Sequence, residues 1–204
     1  RRQRRHGLPC LPYFAEGSRL RIQQPARLSV TVSDFPTAPD WRVSQWFNTD
    51  QPLDLAALRA RVVVLHAFQM LCPGCVSHGV PQAERIHRLF AQDGVAVVGL
   101  HTVFEHHEAM TPVALKAFLH EYRVSHPVGV DAAAAGDPIP VTMRTYALAG
   151  TPSLILIDRE GRMRLNHFGR LDDLTVGREV MRLAAEPGPC VDSCGAPRKS
   201  MTLA

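Results

Sequence analysis

What the chain lacks narrows the possibilities first. No apolar stretch approaches the roughly 20 residues needed to cross a bilayer. The longest candidate, Val62 to Leu71, is half that length and carries His66 and Gln69. No secretory signal is visible, because Leu8 to Leu20 is broken by prolines, Glu16 and Arg19 and has no apolar centre. The expectation is therefore a soluble, unexported, cytoplasmic chain with no membrane span. Five cysteines in 204 residues are too few for a disulfide-dense mini-protein. A folded basic face is also missing. The net charge of +4 comes from 23 basic and 19 acidic residues, and Arg1, Arg2, Arg4 and Arg5 account for all of the excess. A basic terminus is weak support for nucleic acid, so no nucleic-acid partner is expected. No internal repeat stands out.

What is present suits one globular domain. Hydrophobic residues make up 46% and charged residues 21%, enough to build a single core and too apolar for general disorder. Residues 1–35 are polar and punctuated by proline and read as a tail, with a possible short strand at Leu28–Val32. Residues 187–204 are rich in Pro, Gly and Ser and read as a second tail. The domain falls at 36–186.

Within it, β-branched and helical patterns alternate. Arg61–Phe68 (RVVVLHAF) and Val95–Leu100 (VAVVGL) read as buried strands. Cys72 to Ala91 reads as one helix, with Val80, Ala83, Ile86, His87, Phe90 and Ala91 on one stripe and Asp93-Gly94 as its stop. Thr111 to Tyr122 reads as a helix capped by Thr111 with Pro112 at its first position, its apolar stripe being Val113, Leu115, Phe118 and Leu119. His126–Val130 is a short strand and Met143 to Leu148 a helical turn. Ser153–Asp158 and Arg162–Phe168 form a hairpin, and Leu171 to Ala185 a closing helix. The order β-α-β-α-β-(α)-β-β-α predicts a three-layer α/β sandwich: parallel strands first, then an antiparallel hairpin edge, in a mixed sheet with helices on both faces.

The chemistry lies in Cys72-Pro73-Gly74-Cys75, at the junction of strand and helix. Two residues between cysteines on a first helical turn bring the sulfurs within disulfide reach. The first cysteine meets the free N–H groups and dipole of the helix start, which favour a thiolate. Cys75, one turn deeper, is placed to resolve a mixed disulfide from inside.

This sequence resembles the thioredoxin-fold proteins of the TlpA/ResA and redoxin type. The resemblance runs through Ala38-Pro39-Asp40-Trp41, Leu53–Leu58, Val62–Phe68, Cys72–Cys75 and Gly150-Thr151-Pro152 with the strand that follows, about residues 34 to 186. It implies a thioredoxin-like fold and thiol–disulfide oxidoreductase activity on protein or small-molecule disulfide and dithiol partners, with no organic cofactor and no metal. It also implies a cis Thr151–Pro152 bond whose loop faces the dithiol, and a buried polar group beneath Cys75 at position 66, here His66. As a base, that imidazole would take the Cys75 proton; as packing, it would hydrogen-bond backbone. The chain departs from the family in three places: Leu71 stands where Trp is usual, His66 where Asn or Asp is common, and Pro81 falls six residues after the second cysteine instead of five. A peroxidase of the same fold would carry Pro-x-x-x-Thr-x-x-Cys. Leu65 and Gln69 occupy those positions here, which weighs against that reading.

Two further clusters suggest other roles. His101, Glu105, His106, His107 and Glu108 follow the second parallel strand, and with Cys72 and Cys75 they suggest a metal-binding module as an alternative. Cys190 and Cys194 form a C-x-x-x-C that would act as a dithiol shuttle, a local pair, or part of a zinc site; Cys10 has no evident role.

Overall fold

The computed structural model describes residues 35–188. The strand expected at Leu28–Val32, and Cys10, Cys190 and Cys194, lie outside them.

Six strands form one mixed sheet: β1 (Val43–Phe47), β2 (Val62–Phe68), β3 (Val95–His101), β4 (Val128–Asp131), β5 (Ser153–Ile157) and β6 (Met163–Phe168), in the order β1-β4-β3-β2-β5-β6. β2, β3 and β4 run parallel, while β5 is antiparallel to β2 and β6 to β5. The parallel core and antiparallel hairpin match the expected order. The sequence reading missed β1. That edge strand pairs antiparallel with β4 through a bulge and is only half-buried, so its VSQWF carries neither an apolar run nor strict alternation.

The alternation of β2 sorts the core. Val63, Leu65 and Ala67 face a cluster with Trp41, Leu55, Leu58, Met143 and Tyr146, covered by α3 (Val141–Thr145). Val62 and Val64 face α1 (Val80–Phe90) and α4 (Asp173–Ala185), where Ala83, Ile86, Val176, Val180 and Leu183 close over them. Further along that second face, Phe68 packs with Cys75, Val80, and Leu115 and Leu119 of α2 (Pro112–Glu121). Burying one such Leu or Ile side chain contributes about 1.5–3 kcal/mol. Thr111 caps α2 as expected, its hydroxyl accepting the Ala114 N–H, and Leu115 and Leu119 are buried. Val113, assigned to the same stripe, instead points to solvent at 82% exposure.

The helix expected from Cys72 to Ala91 is not uniform. A first turn at Pro73–Gly74 widens into a π turn over Cys75–Gly79 before α1 begins, and Gly94, in the left-handed conformation, ends the segment. A π turn holds one residue more than an α turn. The extra residue before Pro81 is absorbed there, which leaves Pro81 in the first turn of α1, where a missing N–H costs nothing.

Candidate functional site

Parallel strands deliver their carboxyl ends to one edge of the sheet, and the loops there carry the reactive groups. β2 ends at Phe68, and Gln69 to Leu71 lead into the dithiol turn, with the Cys72 N–H bonded to the Gln69 carbonyl at 3.2 Å. Cys72 is half-buried and Cys75 fully buried. The Cys75 N–H donates to the Cys72 sulfur at 3.3 Å, and the Cys72 thiol donates to the Thr151 carbonyl at 3.4 Å. One sulfur is thus exposed at the surface and held by backbone, with the other behind it.

Thr151–Pro152 is cis, as the resemblance implies. Its loop lies against the dithiol turn: a Cβ on Gly74 would stand 3.3 Å from Pro152 Cδ. Burial pushes the Cys75 thiol up to about 12, and its hydrogen bond with Cys72 pushes the same way; the Gln69 backbone and the Thr151 hydroxyl oppose this by hydrogen-bonding the sulfur.

His66 lies on the Phe68 side of β2, stacked on that ring at 5.5 Å. A methyl on Gly79 would overlap the imidazole Nε2 and come within 3.1 Å of Pro152 Cβ, so the ring fills the space beneath the π turn and beside the proline loop. Neither ring nitrogen has a hydrogen-bond partner, so the backbone bond expected of a packing histidine is absent. Burial, then the fields of His126 and His78, lower its pKa to about 3. The structure therefore brings Cys72, Cys75, Thr151, Pro152 and His66 into one neighbourhood, with His66 in the layer below the sulfurs.

A groove of about 610 Å³ opens beside Cys72. Leu71 and Pro73 form one wall, Phe104, Glu105 and His106 the second, and Gly150, Thr151 and Phe168 the third. Leu71 and Phe168 are each 54% exposed, large apolar side chains held at the rim. The 101–108 cluster does not converge. His101 is buried beneath the Met70 N–H, Glu105 and His106 line the groove, and His107 lines a separate cavity. Among the described residues no three His, Cys, Asp or Glu side chains come together to hold a metal.

Sequence reasoning missed Gln69, Phe104 and Phe168. Gln69 is 1% exposed, and its amide Nε2 reaches Glu105 Oε1 and Thr151 Oγ1, both at 3.4 Å. Its signal was a glutamine at the end of an apolar strand, three residues before the nucleophile. The phenylalanines carried no signal, because only the fold brings positions 104 and 168 to the same rim.

Residues 36–174 match the family model described as Redoxin. The chain is similar to a solved thioredoxin-like superfamily protein (54% identity, TM-score 0.73, 76% of this chain and 99% of that one). It is also similar to a thiol-disulfide isomerase from Corynebacterium glutamicum (48% identity, TM-score 0.73, 76% and 100%). Protein DipZ of Mycobacterium bovis is 29% identical over 157 residues, covering 74% of this chain and 21% of that protein. The chain thus spans about a fifth of the length of that curated relative. With the six-stranded mixed sheet and the match across most of the domain, the chain belongs to the redoxin family of thioredoxin-fold thiol–disulfide oxidoreductases.

Proposed function

We propose that this protein exchanges disulfides through Cys72 and Cys75, with protein or small-molecule disulfides as partners. One observation carries the reading: a half-exposed sulfur at the mouth of the groove accepts the N–H of a buried cysteine one turn behind it. Cys72 attacks the substrate disulfide, and the departing thiolate takes up a proton. Cys75 then loses its proton and attacks the Cys72 sulfur. The Cys72–Cys75 bond forms as the mixed disulfide breaks, and the electron pair leaves on the substrate sulfur. Thr151 and Pro152 form the wall against which a substrate chain lies beside the nucleophile. We assign His66 to packing in preference to proton transfer. A neutral imidazole held at about 3 is a poor acceptor for a thiol held at about 12, and the partners of Cys75 are Cys72, Gln69 and Thr151.

Reduction of insulin disulfides tests the reading. Cys72→Ser is expected to abolish turnover. Cys75→Ser is expected to accumulate a mixed disulfide on Cys72, visible by mass spectrometry. Iodoacetamide at pH 7 should label Cys72 far faster than Cys75. Equal labelling, or full turnover in Cys72→Ser, would overturn the assignment.

A further inference from the structure

The resolving cysteine is the harder of the two to ionise, because it is buried and its neighbour is another sulfur. Whatever stabilises its thiolate sets the speed of the second half of the exchange. The groups around Gln69 form a chain whose polarity is fixed by chemistry. The Glu105 carboxylate can only accept, so the side of the Gln69 amide facing it must be the NH₂. The same nitrogen reaches Thr151 Oγ1, and since its two protons serve two acceptors, the hydroxyl accepts there. A hydroxyl that accepts from the amide keeps its own proton to donate, and the neighbouring sulfur of Cys75 is hydrogen-bonded by this side chain.

Burial supports a role for this arrangement. Gln69 is 1% exposed and its Oε1 has no partner, a cost that replacement by an apolar side chain of similar shape would remove. Packing alone does not call for an amide at this position. The chain also joins three separate segments, namely the end of β2, the loop after β3 and the proline loop, so it holds Thr151 in one orientation relative to the dithiol.

We infer that Gln69 is a positioning residue for the resolving step: anchored on Glu105, its amide orients the Thr151 hydroxyl to donate to Cys75 as that sulfur ionises and attacks the Cys72 mixed disulfide. This rests on the dithiol reading above. Through the step, the Cys75 proton passes to solvent, the Cys75–Cys72 bond forms, the bond from Cys72 to the substrate sulfur breaks, and the substrate leaves as a thiolate. Gln69 and Thr151 exchange no atoms; they stabilise charge on Cys75.

Ellman's disulfide separates the two halves of the reaction. Attack by Cys72 releases one thionitrobenzoate, and resolution by Cys75 releases a second. Stopped-flow traces of the full-length protein, Gln69→Leu, Thr151→Val and the double variant, taken from pH 6 to pH 9, read both phases. The expected result is a second phase about tenfold slower in Gln69→Leu, the scale of one lost hydrogen bond to a developing charge, with the first phase within about twofold of the parent. Thr151→Val should slow the second phase similarly, and the double variant should be no slower than either single one, because both remove the same bond. The rate–pH curve of the second phase should move to higher pH in each. Gln69→Glu, which keeps the shape but places a second carboxylate beside Glu105, should slow the second phase at least as much as Gln69→Leu. Equal slowing of both phases, additive effects in the double variant, or an unmoved pH curve would overturn the inference. So would loss of thermal stability in all the Gln69 variants with the second phase intact. If the parent protein never releases the second thionitrobenzoate, the dithiol reading itself fails.

Discussion

Two buried histidines face the same side of the sheet and are treated in opposite ways. His126, 1% exposed, donates from Nδ1 to Glu84 of α1 at 3.0 Å. Glu84 also accepts the Ser125 N–H at 3.0 Å, the Ser125 hydroxyl at 2.6 Å and Arg88 Nε at 2.9 Å. These bonds hold the Glu84 carboxyl far below the usual carboxylate range against its own burial. His66, 2% exposed, has no partner on either nitrogen. The first region is a satisfied polar anchor that ties α1 to the start of β4. The second, beneath the dithiol, also leaves Gln69 Oε1 and His101 Nδ1 unpartnered. Buried polar atoms without partners cost about 1–3 kcal/mol each, so the wall under Cys75 is tuned less for stability than the anchor is.

Breaking the anchor has the largest expected effect. Glu84→Ala leaves His126 and Ser125 buried without their acceptor and is expected to lower unfolding stability by about 3 kcal/mol or more in urea. The dithiol turn is not part of that network, so Cys72 labelling of the folded variant should remain at the parent rate. A loss under 1 kcal/mol would show that the anchor is no stronger than a surface pair.

Acid separates the two regions next. Burial lowers the pKa of His66 to about 3 and of His101 to about 4, both from 6.5. Their folded-state values lie below the unfolded ones, so the unfolded chain takes up protons first as pH falls. Stability is fully present above about pH 6.5 and is lost progressively down to about pH 3–4. At pH 5 each of the two histidines contributes a loss of about 2 kcal/mol. Glu84 adds its loss only below about pH 4.5, because its folded pKa is also depressed. Urea midpoints between pH 8 and pH 5 measure this, and His66→Phe should remove about half of the drop. A pH-independent midpoint over that range would contradict burial of neutral imidazoles.

The smallest effect sharpens the packing at His66. Gly79→Ala drives a methyl into the imidazole Nε2, within 3.1 Å of Pro152 Cβ, and is expected to cost about 1–3 kcal/mol. In a His66→Ala background the same change should cost less, because the obstructing ring is gone. Additive losses in the double-mutant cycle would mean that the two residues do not press on each other.

Much of this was legible in the chain. β2, β3 and β5 are announced by short β-branched apolar runs that no surface helix would carry, and the cap at Thr111-Pro112 by residue types with a single local use. Cys72, Cys75 and Thr151-Pro152 were visible because their chemistry depends on spacing within one turn or one loop. The edge strand β1 was not, since a strand with one neighbour and a half-buried face needs no periodic pattern. The π turn showed only as a proline displaced by one residue, a sign without a geometry.

By itself, then, the sequence determined the elements, the dithiol and the order in which strands and helices follow one another, because local sterics and hydrophobic periodicity act over a few residues. Only the tertiary structure decided what surrounds the sulfurs. Glu84 meets His126 across 42 residues, Gln69 meets Thr151 across 82, and Phe104 and Phe168 share a groove with Cys72. These meetings depend on the crossover of β2, β3 and β4 and on the return of β5 against β2, which place distant loops on one edge of the sheet. Whether a buried imidazole is paired or left alone follows from that placement, because the polar group that could satisfy it comes from another element.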